Sequence, residues 1–138
     1  MQNRPDASTL LDAVAAFLMA EVAPKLEADK ALQFRVMIAA NVTTVVAAEL
    51  RTEDDRFAAE AERLKALVPE AAGLPSTALG MNGVRRDERM AALAALEAAL
   101  VERLRNKGPD AAVLEHLWET AKQTLQVTNP RFDLSEKL

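Results

Sequence analysis

The run from Leu32 to Leu50 constrains this chain most. At about 100° of helical rotation per residue, an apolar arc passes through Leu32, Val36, Ala39, Thr43, Val46 and Leu50. It widens to Val42, Ile38 and Val45. Two full charges, Arg35 and Glu49, project into that arc. A helix that is apolar almost all round belongs at the centre of a bundle. The expected architecture is therefore all-α: a single-domain bundle of about five helices with a central apolar helix at residues 30–50.

The remaining punctuation places the other helices around it. A first helix is expected over residues 7–23, with Asp6 or Ser8 accepting the free N–H groups at its start and Leu10, Leu11, Val14, Phe17, Leu18 and Val22 turned inward. Pro24 ends or kinks it, because proline donates no backbone hydrogen bond. Asp29 is suited to cap the second helix, and Thr52 with Asp55 imitates a capping box that starts a third over 53–68. Phe57, Leu64, Leu67 and Val68 are its expected inner residues, and Pro69 stops it. Short links predict that these three helices run up, down and up.

Pro69, Gly73, Pro75, Gly80 and Gly83 make residues 69–85 the one long connection, read as a flexible surface loop. A fourth helix is expected at 86–106, burying Met90, Leu93, Leu96, Leu100, Val101 and Leu104. Gly108-Pro109 then stops one helix and starts the next, glycine at the left-handed cap and proline in the first turn. The fifth helix, 110–127, is expected to turn Val113, Leu114, Leu117, Trp118, Ala121 and Leu125 inward, with Trp118 as a core anchor. Residues 132–138 form a loose tail. Alanine fills 28 of the 138 positions, which favours helix and close approach of helix axes.

Charges that fall on apolar arcs supply the candidate site. Glu21 projects between Val14 and Phe17, and Arg35 between Val42 and Val46. An isolated buried charge costs several kcal/mol, so the expectation is a partly buried Glu21–Arg35 ion pair at one end of the core. Glu49 is matched to Arg4, with Arg56 as local competitor. The reading of these pairs as register devices stands beside a second, in which Arg35 binds a small anion in a polar pocket. Asn41 lies on an uncharged strip with Gln33, Met37, Thr44 and Ala48, suited to another helix or to a two-fold dimer seam. Arg131 is expected to cap the last helix, where a cation opposes the dipole. The candidate network is thus Glu21, Arg35, Asn41, Glu49, Arg4 and Arg131.

Catalytic chemistry fails on inventory. The chain has no cysteine, which removes thiol nucleophiles and cysteine-bound zinc. Its one histidine, His116, projects away from the apolar side of its helix and is expected to face solvent. Glu97 intrudes on an apolar arc and could meet Glu21, but the Glu-x-x-His pattern of carboxylate-bridged metal bundles is absent, because residue 113 is valine. There is no phosphate loop and no dinucleotide fingerprint. No catalytic residue, metal or cofactor is therefore assigned. A net charge of −4 argues against a nucleic-acid partner. Charges interrupt every apolar run, so no membrane span is expected, and the lack of cysteine fits the cytoplasm.

Several of these residues form a pattern. Arg4-Pro5 stands ahead of Leu10-Leu11, followed by Phe17, Glu21, Pro24 and Leu26. Phe34-Arg35-Val36, Asn41, Val45, Glu49-Leu50 and Arg63-Leu64 come next, then Leu117, Leu125 and Asn129-Pro130-Arg131. In this the chain resembles an uncharacterised bacterial family of small helical proteins, a domain of unknown function. The resemblance implies no established activity and carries over no catalytic residue. It implies a setting: such proteins are often encoded beside a phosphotransferase similar to aminoglycoside kinases and beside an acyl-CoA dehydrogenase. The functional expectation is a non-catalytic accessory or interaction protein, self-associating as a homodimer and partnering the phosphotransferase-like protein. The alternative is a module that binds a carboxylate, a phosphate or an acyl-CoA.

Overall fold

The computed structural model describes residues 5–71 and 85–132, and every regular element among them is helical. Four α-helices follow in order: α1 (Ala7–Phe17), α2 (Lys30–Leu67), α3 (Arg86–Lys107) and α4 (Ala111–Thr128). The all-α expectation holds, but the count of five does not. The helices expected at 30–50 and 53–68 are one element. No glycine or proline interrupts residues 30–67. The Thr52 hydroxyl donates to the carbonyl of Ala48, one turn back, so it acts inside the helix and does not mark the start of a new one. The up-down-up order of three helices is lost with it.

The chain divides into two compact units, Met1–Glu53 and Asp54–Leu138. In the first, Asp6 caps α1 by accepting from the Thr9 N–H at 2.8 Å, and the Ser8 hydroxyl donates to the same carboxylate. After Phe17 the helix widens into a π turn, Leu18–Val22, and then tightens into a 3-10 turn, Ala23–Leu26. Pro24 explains this, because its ring cannot sit one α-turn after a carbonyl without a clash and it supplies no N–H. Asp29 caps α2 through the Leu32 N–H at 3.0 Å. The chain then returns antiparallel to α1. Gln33 donates to the Ala23 carbonyl at one end of this hairpin, and Arg51 pairs with Asp12 at 2.5 Å at the other.

The seam of the hairpin is made of small residues. Ser8, Ala15, Ala23, Ala40 and Ala47 are its buried positions. Residues 32–50 are therefore not a central helix: the apolar arc exists as projected, but most of its large side chains are exposed. Alanine lets the two backbones approach closely, and the bulkier residues are left outside the contact.

Among the described residues, the large core lies in the second unit. Phe57, Ala61, Leu64 and Val68 of the α2 end meet Leu93, Leu96 and Leu100 of α3 and Val113 of α4. Leu64, Leu96 and Val113 are wholly buried. Met90 and Val101, expected inside, are exposed. Gly108 closes α3 with φ 74°, and its N–H bonds to the Leu104 carbonyl at 2.9 Å. Asp110 caps α4, so Pro109 precedes the cap and is not in the first turn. Arg103 donates to the Leu67 carbonyl and to Asp110, each at 2.5 Å, tying the end of α2 to the start of α4. Arg89 pairs with Asp54 and lies over the Phe57 ring, 5.6 Å from its centre. Of the long connection expected at 69–85, residues 72–84 lie outside the described residues, and Pro69–Ala71 form a 3-10 turn. Residues 133–138 of the expected tail also lie outside them.

Candidate functional site

Two places concentrate unusual chemistry, one in each unit. The first is a face of the hairpin. Leu10, Val14 and Phe17 of α1, and Leu32, Ile38, Val42, Val46 and Leu50 of α2, are exposed, Val42 at 54% and Phe17 at 51%. The centre of this stripe lies roughly 140° of rotation from the alanine seam on α1 and roughly 130° on α2, in the same sense along the chain. Because the helices are antiparallel, equal senses put both stripes on one side of the hairpin.

Each stripe carries one charge. Glu21 continues the α1 stripe beyond Phe17, and Arg35 lies between Val42 and Val46 on α2. Both are exposed, and neither joins an ion pair among the described residues. The expected Glu21–Arg35 pair is therefore not formed within the chain. The two positions are level, since Glu21 precedes Ala23 by two residues and Arg35 follows Gln33 by two. Both, however, point away from the seam that joins the helices. Glu49 is exposed at the edge of the same face, and its expected partner Arg4 lies outside the described residues. Asn41 is exposed on the other side of α2. Arg131 is exposed beyond α4, two residues after Asn129, whose N–H closes the last turn on the Leu125 carbonyl.

Windows in Ala7–Leu26 and in α2 reach a mean hydropathy of 1.4, apolar enough to cross a membrane by length and composition alone. That level exceeds what a count of uninterrupted apolar residues suggests.

The second place is a polar network between α2 and α4, with Glu97 of α3 in the field of its Glu60. His116 is 5% exposed, not solvent-facing. Arg63 Nε donates to His116 Nδ1 at 3.4 Å, and Arg63 Nη2 donates to Thr120 at 3.4 Å and to Gln123 at 3.5 Å. Thr120 in turn donates to Glu60 at 3.3 Å. Accepting at Nδ1 places the neutral ring's proton on Nε2. Burial, and then the neighbouring Arg63 cation, hold His116 below the ordinary imidazole range, against an opposing pull from Glu60. Glu97 is pushed above the usual carboxylate range by desolvation and then by Glu60. The carboxylate that acts on Glu97 is thus Glu60. The bonds from Arg63 and Thr120 close on one another, which suits a device that sets the register of α4 on α2.

This network turns α4 round. Val113, His116 and Val127 are buried, with Thr120 and Gln123 between them. Leu114, Leu117 and Trp118, expected inside, are exposed, Trp118 at 44%. Two stripes of equal spacing run along α4, and the weaker one is the inner one. The signal was present in the sequence as the regular series Val113, His116, Thr120, Gln123, Val127. Among the described residues, no three histidine or acidic side chains are grouped to hold a metal ion.

Residues 24–132 match the family described as Domain of unknown function (DUF6285), and the chain belongs to that family. No curated protein matches it, and no solved structure matches it.

Proposed function

We propose that this member of the DUF6285 family is a non-catalytic interaction protein whose docking surface is the exposed apolar face of the N-terminal hairpin. The observation that carries the reading is the outward placement of that face. Its largest side chains are exposed while alanines fill the seam. Monomeric proteins rarely leave contiguous apolar patches beyond a few hundred Å² in water. The part-buried network around Arg63 supports the same reading from the other side, since its polar groups are engaged with one another. The resemblance to proteins encoded beside a phosphotransferase-like kinase names the protein in whose company the surface is to be tested.

The experiment compares the wild-type chain with Val42→Glu and Val46→Glu. Both positions are exposed, so the charge enters water in the isolated chain and the helical circular-dichroism signal is expected to persist. Association is measured by sedimentation, alone and with the phosphotransferase-like protein. Loss of association in both variants supports the reading. Association unchanged by either charge, or absent in the wild type under both conditions, removes it.

A further inference from the structure

The charges on the hairpin face identify its occupant. Glu21 and Arg35 sit level with each other, one on each apolar stripe, and neither has an ionic partner among the described residues. Whatever covers the face must offer a cation opposite Glu21 and an anion opposite Arg35, or leave both desolvated and unpaired. The exposed stripe of α4, built on Leu114, Leu117 and Trp118, has no charge within its arc and does not meet that demand. A bilayer does not meet it either, since its apolar interior offers a partner to neither charge, and charges on a membrane-facing stripe are costly. A second copy of the same face does.

We infer that this face is covered by a second copy of the chain. The two hairpins form a four-helix dimer about a two-fold axis parallel to their helices. That operation lays α1 of each copy against α2 of the other and preserves height along the axis. Glu21 of one copy then meets Arg35 of the second at the same level, and symmetry makes the contact twice, as an isologous interface requires. The area is sufficient: side chains of roughly 150 Å², about half exposed, leave on the order of 600 Å² per copy, so two copies bury about 1,200 Å², the lower bound for specific interfaces. The inference rests on the docking reading above and names its partner.

The test is a charge exchange on the full chain. The wild type is expected to sediment at twice its 15.0 kDa. Glu21→Arg and Arg35→Glu should each weaken the dimer about tenfold or more, by placing like charges together. The double variant Glu21→Arg/Arg35→Glu should restore it to within a few-fold of wild type. Because the natural chain has no cysteine, a second measurement avoids dependence on those substitutions. Glu21→Cys chains mixed with Arg35→Cys chains should give a mixed disulfide dimer under mild oxidation, faster than either variant alone.

A monomer at about 100 µM overturns the inference, as does a dimer indifferent to both reversals or one in which the double variant is no better than the singles. A chain that binds zwitterionic phosphatidylcholine vesicles as a monomer overturns it too. If the chain is monomeric alone yet loses binding to the phosphotransferase-like protein on Val42→Glu, the second copy is excluded while the broader docking reading stands. If neither association occurs, both fail.

Discussion

His116 and Glu97 both feel the Glu60 carboxylate, and their charge states pull stability in opposite directions. The folded His116 titrates below its ordinary 6.5, so the folded state resists the proton that the unfolded chain accepts. Its contribution is complete above about pH 6.5 and is lost as pH falls through the folded value. The melting temperature should therefore drop on acidification below pH 6.5, and His116→Gln should flatten that part of the profile relative to wild type. Equal slopes in the two proteins would contradict the assignment. Glu97 has the opposite sign. Its folded carboxyl is raised above 4.5, so ionisation at neutral pH opposes folding. Glu97→Gln should raise the melting temperature at pH 7 and leave it unchanged near pH 4.

At the level of the elements, the continuity of α2 is the decisive feature, and proline tests it. Were Thr52 the cap of a new helix, Glu53 would be its first position, where proline is welcome. Inside one continuous helix, Glu53→Pro removes a hydrogen bond and clashes with the preceding turn, at a cost of about 3 kcal/mol. The denaturant midpoint should fall accordingly, and an unchanged midpoint would restore two helices. Arg103 is the second test. Its guanidinium joins the last carbonyls of α2 to the cap of α4. Arg103→Ala should destabilise by about 1.5–3 kcal/mol, the usual range for hydrogen bonds to a charged group. Arg103→Lys should recover only part, because an ammonium lacks the planar fork.

In the molecule as a whole, the two units are unequally furnished. Asp54–Leu138 encloses a core with wholly buried leucines, whereas the buried positions of Met1–Glu53 are alanines and one serine. Burial of so little apolar surface leaves the hairpin marginal until its outer face is covered. Amide exchange over residues 7–50 should therefore slow as protein concentration rises, while exchange over the core segments 57–68 and 93–100 should not. Concentration-independent protection of the hairpin would show that it is stable alone.

The sequence by itself determined helix type, most helix ends and three of the caps. Asp6, Asp29 and Gly108 act on their own neighbours within one turn, so local chemistry suffices to read them. It also determined which residues share an arc: Val42, Arg35 and Val46 do lie together, as do Val14, Phe17 and Glu21. Only the tertiary structure decided which arc turns inward. Helical periodicity reports that residues share a side and is silent on what that side meets. At the hairpin, alanines win the seam because small residues allow closer backbone approach. On α4, one arginine with three acceptors turns the more polar stripe inward. Both outcomes depend on surfaces brought together from distant parts of the chain, where no local pattern records the choice.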